Sequence, residues 1–286
     1  MNIKAWLLAA RPKTLSASIA PVLVGTGLAF QVKHRVPWIY AVFALFSALF
    51  IQIATNLIND ALDFRKGTDT STRLGPVRVT QAGLLSAETV MRGAYVCLVV
   101  AALLGIPLIL RGAWPIFVIG VASMIAAYAY TGGPYPLAYH GLGEVFVMIF
   151  FGIVAVGGTY YVLTLQYAIE AFLCGVAIGS LAVVILAINN LRDIEGDRAS
   201  NKKTIAVRLG ERGARAEIVA FIVLAFVAIA FVAPLTLLAM PLAIVLIVRV
   251  YRSSGRELNR CLAMAGALEM AFALLFLVIC LFTGTR

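Results

Sequence analysis

Two short stretches of the chain gather the residues best able to do chemistry: "NLINDALDF" at 56–64 and "NNLRDIEGD" at 189–197. Asn56, Asp60 and Asp63 are spaced i, i+4, i+7, and Asn189, Asp193 and Asp197 are spaced i, i+4, i+8. On a helix each set lies along one face and aims its carbonyl and carboxylate oxygens in one direction. Like charges a turn apart repel, and acids at a helix C-terminus oppose its dipole, so stability does not explain them. A hard cation relieves both penalties, and an all-oxygen ligand set suits Mg²⁺. A solvated cap would account for one such acid. Two matched clusters point to a shared ligand. With Asp69 and Glu195 added, the two neighbourhoods hold six of the chain's 13 acids.

Basic residues stand close to both clusters. Lys66, Arg73 and Arg78 follow the first, and Arg192, Arg198, Lys202, Lys203 and Arg208 lie in or follow the second. Mg²⁺ keeps few protein ligands and completes its shell with substrate phosphates. Carboxylates alone would repel a diphosphate, whereas metal ions between them make a bridge, leaving Lys and Arg to hold the remaining oxygens. Membrane topology also places basic residues on this side, so each one taken singly has two readings. A third stretch, "AYAYTGGPYPLAYHGLGE" at 127–144, carries Tyr128, Tyr130, Tyr135 and Tyr139 among helix-ending glycines and prolines. Such tyrosines are ordinary at a membrane interface; they would also make an aromatic wall that attracts a cation through its ring faces.

These residues have to be positioned by membrane helices. The chain has 286 residues, 62% of them hydrophobic and 13% charged, against about 25% charged in ordinary soluble domains, and its mean hydropathy is +0.99. Apolar runs long enough to span are expected at 14–32, 38–58, 89–109, 113–131, 144–164, 168–190, 216–232, 234–251 and 263–283. The expectation is an all-α membrane protein of about nine transmembrane helices around a central cavity, forming a single domain over 1–286. The first run, preceded by Lys4, Arg11 and Lys13, reads as a retained helix and not as a cleaved leader. With nine spans, only Lys33, Arg35, Arg111 and Arg286 of the 23 basic residues fall on the side opposite the N-terminus. The positive-inside rule makes the N-terminal side cytoplasmic, and the net charge of +10 needs no nucleic acid. Both acidic clusters then emerge on the cytoplasmic side, separated by an even number of helices, as in a parallel internal repeat with one half-site in each half. Cysteines and histidines show no metal or disulfide spacing. Acids, bases and an apolar interior together suit a lipid diphosphate, its head at the cytoplasmic rim and its tail among the helices. A divalent-cation or organic-ion transporter is the alternative from another class. Its ionisable residues would be expected near the bilayer midplane.

The chain resembles the UbiA superfamily of intramembrane aromatic prenyltransferases, most closely its menaquinone branch. The likeness is carried by "ARPKTLSASIAPVLVG" at 10–25, "NDALDFRKGTD" at 59–69, "GPVRVTQAG" at 75–83, "YTGGPYPLAYHGLGE" at 130–144, "NNLRDIEGD" at 189–197 and "KTIAVRLG" at 203–210. The resemblance implies nine helices around a cavity and Mg²⁺ held by Asp60, Asp63, Asp193 and Asp197. Where the family pattern has an Asp four residues after Asp63, this chain has Gly67, with Asp69 two residues later; Ala61 stands where the branch often has an aromatic residue. The resemblance further implies an isoprenyl diphosphate donor. Ionisation of its allylic C–O bond precedes attack by the ring of 1,4-dihydroxy-2-naphthoate, with loss of the ring carboxylate as CO₂. Related acceptors are 4-hydroxybenzoate and homogentisate. Glu144 and His140 are the candidates should a base be needed. Asn56, Asn59, Lys66, Arg73, Arg78, Tyr128, Tyr130, Asn189, Arg192, Lys202, Lys203 and Arg208 are the expected substrate contacts.

Overall fold

The computed structural model describes residues 2–67 and 74–283. Asp69 and Arg73 lie outside the described residues. Among those described, the regular structure is helical throughout: α1 (Ile3–Ala10), α2 (Ser16–Lys33), α3 (Trp38–Arg65), α4 (Ala87–Ala129), α5 (Gly143–Val147), α6 (Ala155–Thr164), α7 (Ile169–Arg192), α8 (Ile194–Ala199), α9 (Ile205–Ala230), α10 (Met240–Arg252) and α11 (Leu258–Thr283). A π-helical segment, Met148–Val154, joins α5 to α6 without a break in the axis.

Seven of these segments are long and apolar enough to cross a bilayer, or eight when the bent pair α1–α2 is counted as one. The difference from the nine expected spans centres on α4. Its 43 residues would reach about 65 Å if straight, roughly twice a bilayer's hydrocarbon core, and it is interrupted at Ala113 (φ 53°, ψ −147°) between Pro107 and Pro115. Both of its ends return to the end of α3. Arg65 Nη2 lies 3.3 Å from Glu88 Oε1 near the start, and Lys66 Nζ donates to the Thr131 carbonyl at 2.6 Å just past the finish. The break between the runs 89–109 and 113–131 is therefore a tight reversal within one continuous helical segment.

α7 is the most enclosed spanning helix, 78% buried over its apolar window. It packs on α9, α11 and the π-helical segment, and with α2 and α6 these make the larger core. Glycines set the closest of these approaches. A Cβ on Gly152 would sit 2.4 Å from the Gly175 carbonyl oxygen and 2.6 Å from the Gly179 Cα, so only small residues let these backbones touch. A smaller core joins α1, α3 and the start of α4, and takes in Val79 from the loop between α3 and α4, fully buried beside Ala5, Leu57 and Ile58.

The polar stretches sit where helices end or bend. α1 and α2 meet at 51° around Arg11, a non-glycine residue in the left-handed region (φ 51°) that precedes Pro12. Asn56 Nδ2 donates to the Ala10 carbonyl at 2.9 Å and to Thr14 Oγ1 at 3.4 Å, tying this bend to α3.

Candidate active site

The first acidic cluster lies inside α3, which runs to Arg65 and does not stop near residue 58. Helical spacing places Asn56, Asn59, Asp60 and Asp63 in its last turns, yet the two Asp residues do different work. Asp60 is 1% exposed. Its oxygens accept from the Val79 and Thr80 backbone N–H groups, each at 3.1 Å, and from the Thr80 hydroxyl. Asp60 thus staples the loop that carries Arg78, and it is not among the residues that line the cavity. Asp63, one turn on, does line the cavity. It is met by Tyr139 Oη at 2.9 Å, Arg78 Nη2 at 3.3 Å and Lys202 Nζ at 3.7 Å. The Asn59 side-chain oxygen accepts from the Thr131 hydroxyl.

The second cluster does not follow one helical face as its spacing suggested. α7 ends at Arg192, Asp193 (φ −97°, ψ 10°) makes the corner, and Asp197 lies on α8. Arg192, 3% exposed, forms a two-pronged pair with Asp193 (Nε–Oδ1 2.8 Å, Nη2–Oδ2 2.6 Å), the planar fork geometry that favours arginine over lysine. Arg192 also donates to Asn189 Oδ1 at 2.6 Å and to Asn259 Oδ1 at 2.8 Å. Asn259 Nδ2 in turn donates to the Leu74 carbonyl at 3.0 Å, which links the second cluster to the loop after the first.

Both clusters open into one cavity of about 1150 Å³. Its polar rim includes Asn56, Asn59, Asp63, Arg78, Tyr130, Asn189, Arg192, Asp193, Asp197 and Lys202. Four other expected contacts stand away from its wall. Tyr128 is 42% exposed and packs against Gly132. Lys66 sits over the Tyr139 ring. The Lys203 backbone N–H donates to the Tyr139 carbonyl at 3.0 Å, and Arg208 donates to the carbonyls of Lys203 and His140 at 3.1 and 2.7 Å. Arg208 and Lys203 therefore hold rim loops together. His140 is likewise turned to its own loop, with Nδ1 2.8 Å from the Pro136 carbonyl and its ring stacked on Tyr135.

The sequence reading missed Arg11, Asn190 and Asn259 as parts of this site. Arg11 and Asn190 line the cavity; Asn190 Nδ2 donates to Glu144 Oε1 at 2.9 Å, and both residues are buried. The Arg-Pro pair at a helix break was a usable signal for Arg11. Asn259 lies 67 residues from its arginine, and nothing local in the sequence marks it.

Electrostatics tie the rim together. Burial pushes the Tyr130 phenol well above its ordinary value, helped by the negative Glu144, Asp63 and Asp197 and opposed by Arg11. Tyr130 thus remains a neutral hydroxyl at working pH. Burial also lowers the Lys66 ammonium; Asp63 opposes this and Lys202 adds to it.

Among the described residues, no three of the His, Cys, Asp and Glu side chains converge to hold a metal ion unaided. Asp63, Asp193 and Asp197 are nonetheless hard oxygen donors lining one cavity. That donor chemistry fits Mg²⁺, which takes one or two carboxylates and fills its shell from water and substrate phosphate.

Away from the rim the cavity is apolar. Its wall runs along both halves of α4, through Val99, Leu103, Ile106 and Phe117, among others. These four are each about half or more exposed.

Comparison with known proteins agrees with this architecture. The profile of the UbiA prenyltransferase family matches residues 18–258. A 1,4-dihydroxy-2-naphthoate octaprenyltransferase of Escherichia coli (strain K12) is 39% identical over 218 residues, covering 74% of this chain and 70% of the relative. A protein of the same name from Haemophilus influenzae is 35% identical over 292 residues, covering 96% and 95%. Among solved structures, a UbiA homolog from Archaeoglobus fulgidus bound to DMAPP and Mg²⁺ superposes with a TM-score of 0.70 at 17% identity, over 96% of this chain and 98% of that one.

Proposed function

Because the chain belongs to the UbiA prenyltransferase family, we propose that it transfers a polyprenyl group from an isoprenyl diphosphate to 1,4-dihydroxy-2-naphthoate, with Mg²⁺ as cofactor. One observation carries the reading: a single cavity has acids and bases on its rim and apolar side chains over the rest of its wall. A lipid diphosphate has the same two-part character. Relatives named for this reaction at 35–39% identity support the choice of acceptor.

In this reading Arg78, Arg192 and Lys202 bind diphosphate oxygens, and Asp63, Asp193 and Asp197 hold the metal. The bound ion supplies charge neutralisation, so that the diphosphate can leave with the C–O electron pair. Tyr130 and the apolar wall exclude water from the allylic carbon. Glu144 and Asn190, buried at the inner side of the rim, orient the acceptor's hydroxyls. The ring forms its new C–C bond at the carbon bearing the carboxylate, and the bond from that carbon to the carboxylate then breaks, releasing CO₂ while its electron pair restores aromaticity. No proton leaves carbon, so the chain needs no base there.

The segments carrying the rim face the cytoplasm, following the basic-residue asymmetry, and the protein resides in the cytoplasmic membrane. The test is turnover by purified protein in nanodiscs, with a panel of prenyl diphosphates and acceptors, with and without Mg²⁺. Mg²⁺-dependent prenylation of dihydroxynaphthoate is expected. Prenylation of 4-hydroxybenzoate but not of dihydroxynaphthoate would overturn the acceptor, and metal flux into proteoliposomes without diphosphate turnover would overturn the enzyme.

A further inference from the structure

We infer that Tyr139 is a positioning residue for diphosphate binding, its hydroxyl fixing Asp63 and its ring holding the ammonium groups of Lys66 and Lys202. The inference rests on the diphosphate reading of the site.

Three segments meet on this side chain. Tyr139 ends the short 3₁₀ turn Leu137–Tyr139, and its carbonyl accepts from the Lys203 backbone at 3.0 Å, so its position is fixed relative to the segment after α8. Its hydroxyl donates to Asp63 Oδ1 at 2.9 Å. Lys66 Nζ lies 4.4 Å from the ring centroid and Lys202 Nζ 4.8 Å, both inside the range where the ring's electron-rich face attracts a cation. Lys66 is also anchored to the Thr131 carbonyl at 2.6 Å, and Lys202 lies 3.7 Å from Asp63 Oδ2.

Two ammonium groups brought this close repel each other. The ring face and the Asp63 carboxylate compensate by placing negative charge near both. Lysine is long and flexible, so holding Lys202 before the ligand arrives removes an ordering cost from binding, while Lys66, anchored away from the cavity wall, adds positive charge beside it. Among the natural side chains, tyrosine joins a cation-attracting ring to a hydroxyl that can donate to a carboxylate. An aromatic wall read from the sequence as facing a substrate cation thus has, in Tyr139, a member engaged with the protein's own cations.

The two functions separate by substitution. Tyr139→Phe keeps the ring and loses the hydrogen bond to Asp63, whereas Tyr139→Leu loses both. Full-length wild type and both variants, in nanodiscs, are titrated calorimetrically with inorganic pyrophosphate in Mg²⁺ and assayed for KM and kcat. Tyr139→Phe is expected to hold pyrophosphate affinity within about twofold while the half-saturating Mg²⁺ concentration rises several-fold. Tyr139→Leu is expected to weaken pyrophosphate about tenfold or more and to raise the KM for prenyl diphosphate more than it lowers kcat. The KM for the aromatic acceptor should not move in either. Wild-type pyrophosphate and Mg²⁺ responses in both variants would overturn the inference and leave the diphosphate site standing. So would equal losses of kcat and thermal stability with unchanged pyrophosphate affinity. Wild-type protein that neither binds pyrophosphate in Mg²⁺ nor turns over prenyl diphosphate would overturn the site reading and the inference together. Tyr139→Phe keeps the test decisive even if Tyr139→Leu fails to fold.

Discussion

Asp60 and Asp63 are three residues apart on one helix, and their substitutions should fail in different ways. Asp60→Asn puts an amide donor against the Val79 or Thr80 N–H, at a cost of about 1–3 kcal/mol for the buried group left unpaired. The expected outcome is a lowered melting temperature in detergent, with activity falling because Arg78 loses its platform. Asp63→Asn faces the cavity. The melting temperature should fall here too, because buried Arg78 loses its charged partner, but turnover should drop by roughly two orders of magnitude even where the variant is fully folded, as when one transition-state stabilising group is removed. Thermal unfolding and steady-state assays on the same preparations separate the two. Residue types and spacing pointed to both acids, but could not say which of them met a backbone. That depends on Val79 being drawn into the smaller core, a contact between segments that periodicity does not encode. The same limit explains Arg208 and Lys203. Their charge was legible, but their use as loop fasteners requires the neighbouring carbonyls of His140 and Tyr139.

At the scale of elements, apolar runs located the spanning helices well, since length and hydropathy are local properties. Helix ends were less legible. α3 carries its polar motif inside the helix, and the second motif is divided by the corner at Asp193. Hydropathy drops where a helix leaves the bilayer, whether or not the helix itself stops. The glycines packed between α7 and the π-helical segment give a sharp test. Gly152→Ala drives a methyl into the backbone of Gly175 and Gly179 and should destabilise the protein by about 1–3 kcal/mol or more. Gly120→Ala, with nothing within 4 Å of the added methyl, should be close to neutral. Comparing melting temperatures of the two variants checks the packing directly.

For the whole molecule, the arrangement of rim segments becomes a statement about sidedness. Arg198, beside the second cluster, and Lys33, at the far end of α2, are both exposed and should lie on opposite faces of the membrane. In a background with the four native cysteines replaced, Arg198→Cys should react with an impermeant maleimide only in inside-out vesicles. Lys33→Cys should react only from the outside of intact cells or spheroplasts. Identical labelling of both positions from one side would refute the orientation. The bundle's central cavity was legible in outline, because two acidic half-sites on one side must face something shared. That both halves of α4 line it was not. This depends on the reversal at Ala113, a backbone feature that hydropathy does not encode.

That reversal leaves both termini of α4 fastened to adjacent residues, Arg65 and Lys66, at the water-facing mouth. A wall so moored ties the apolar part of the cavity to its charged rim. In the proposed reaction the two products would then part by polarity, the inorganic one held by basic side chains and the prenylated one by the apolar wall.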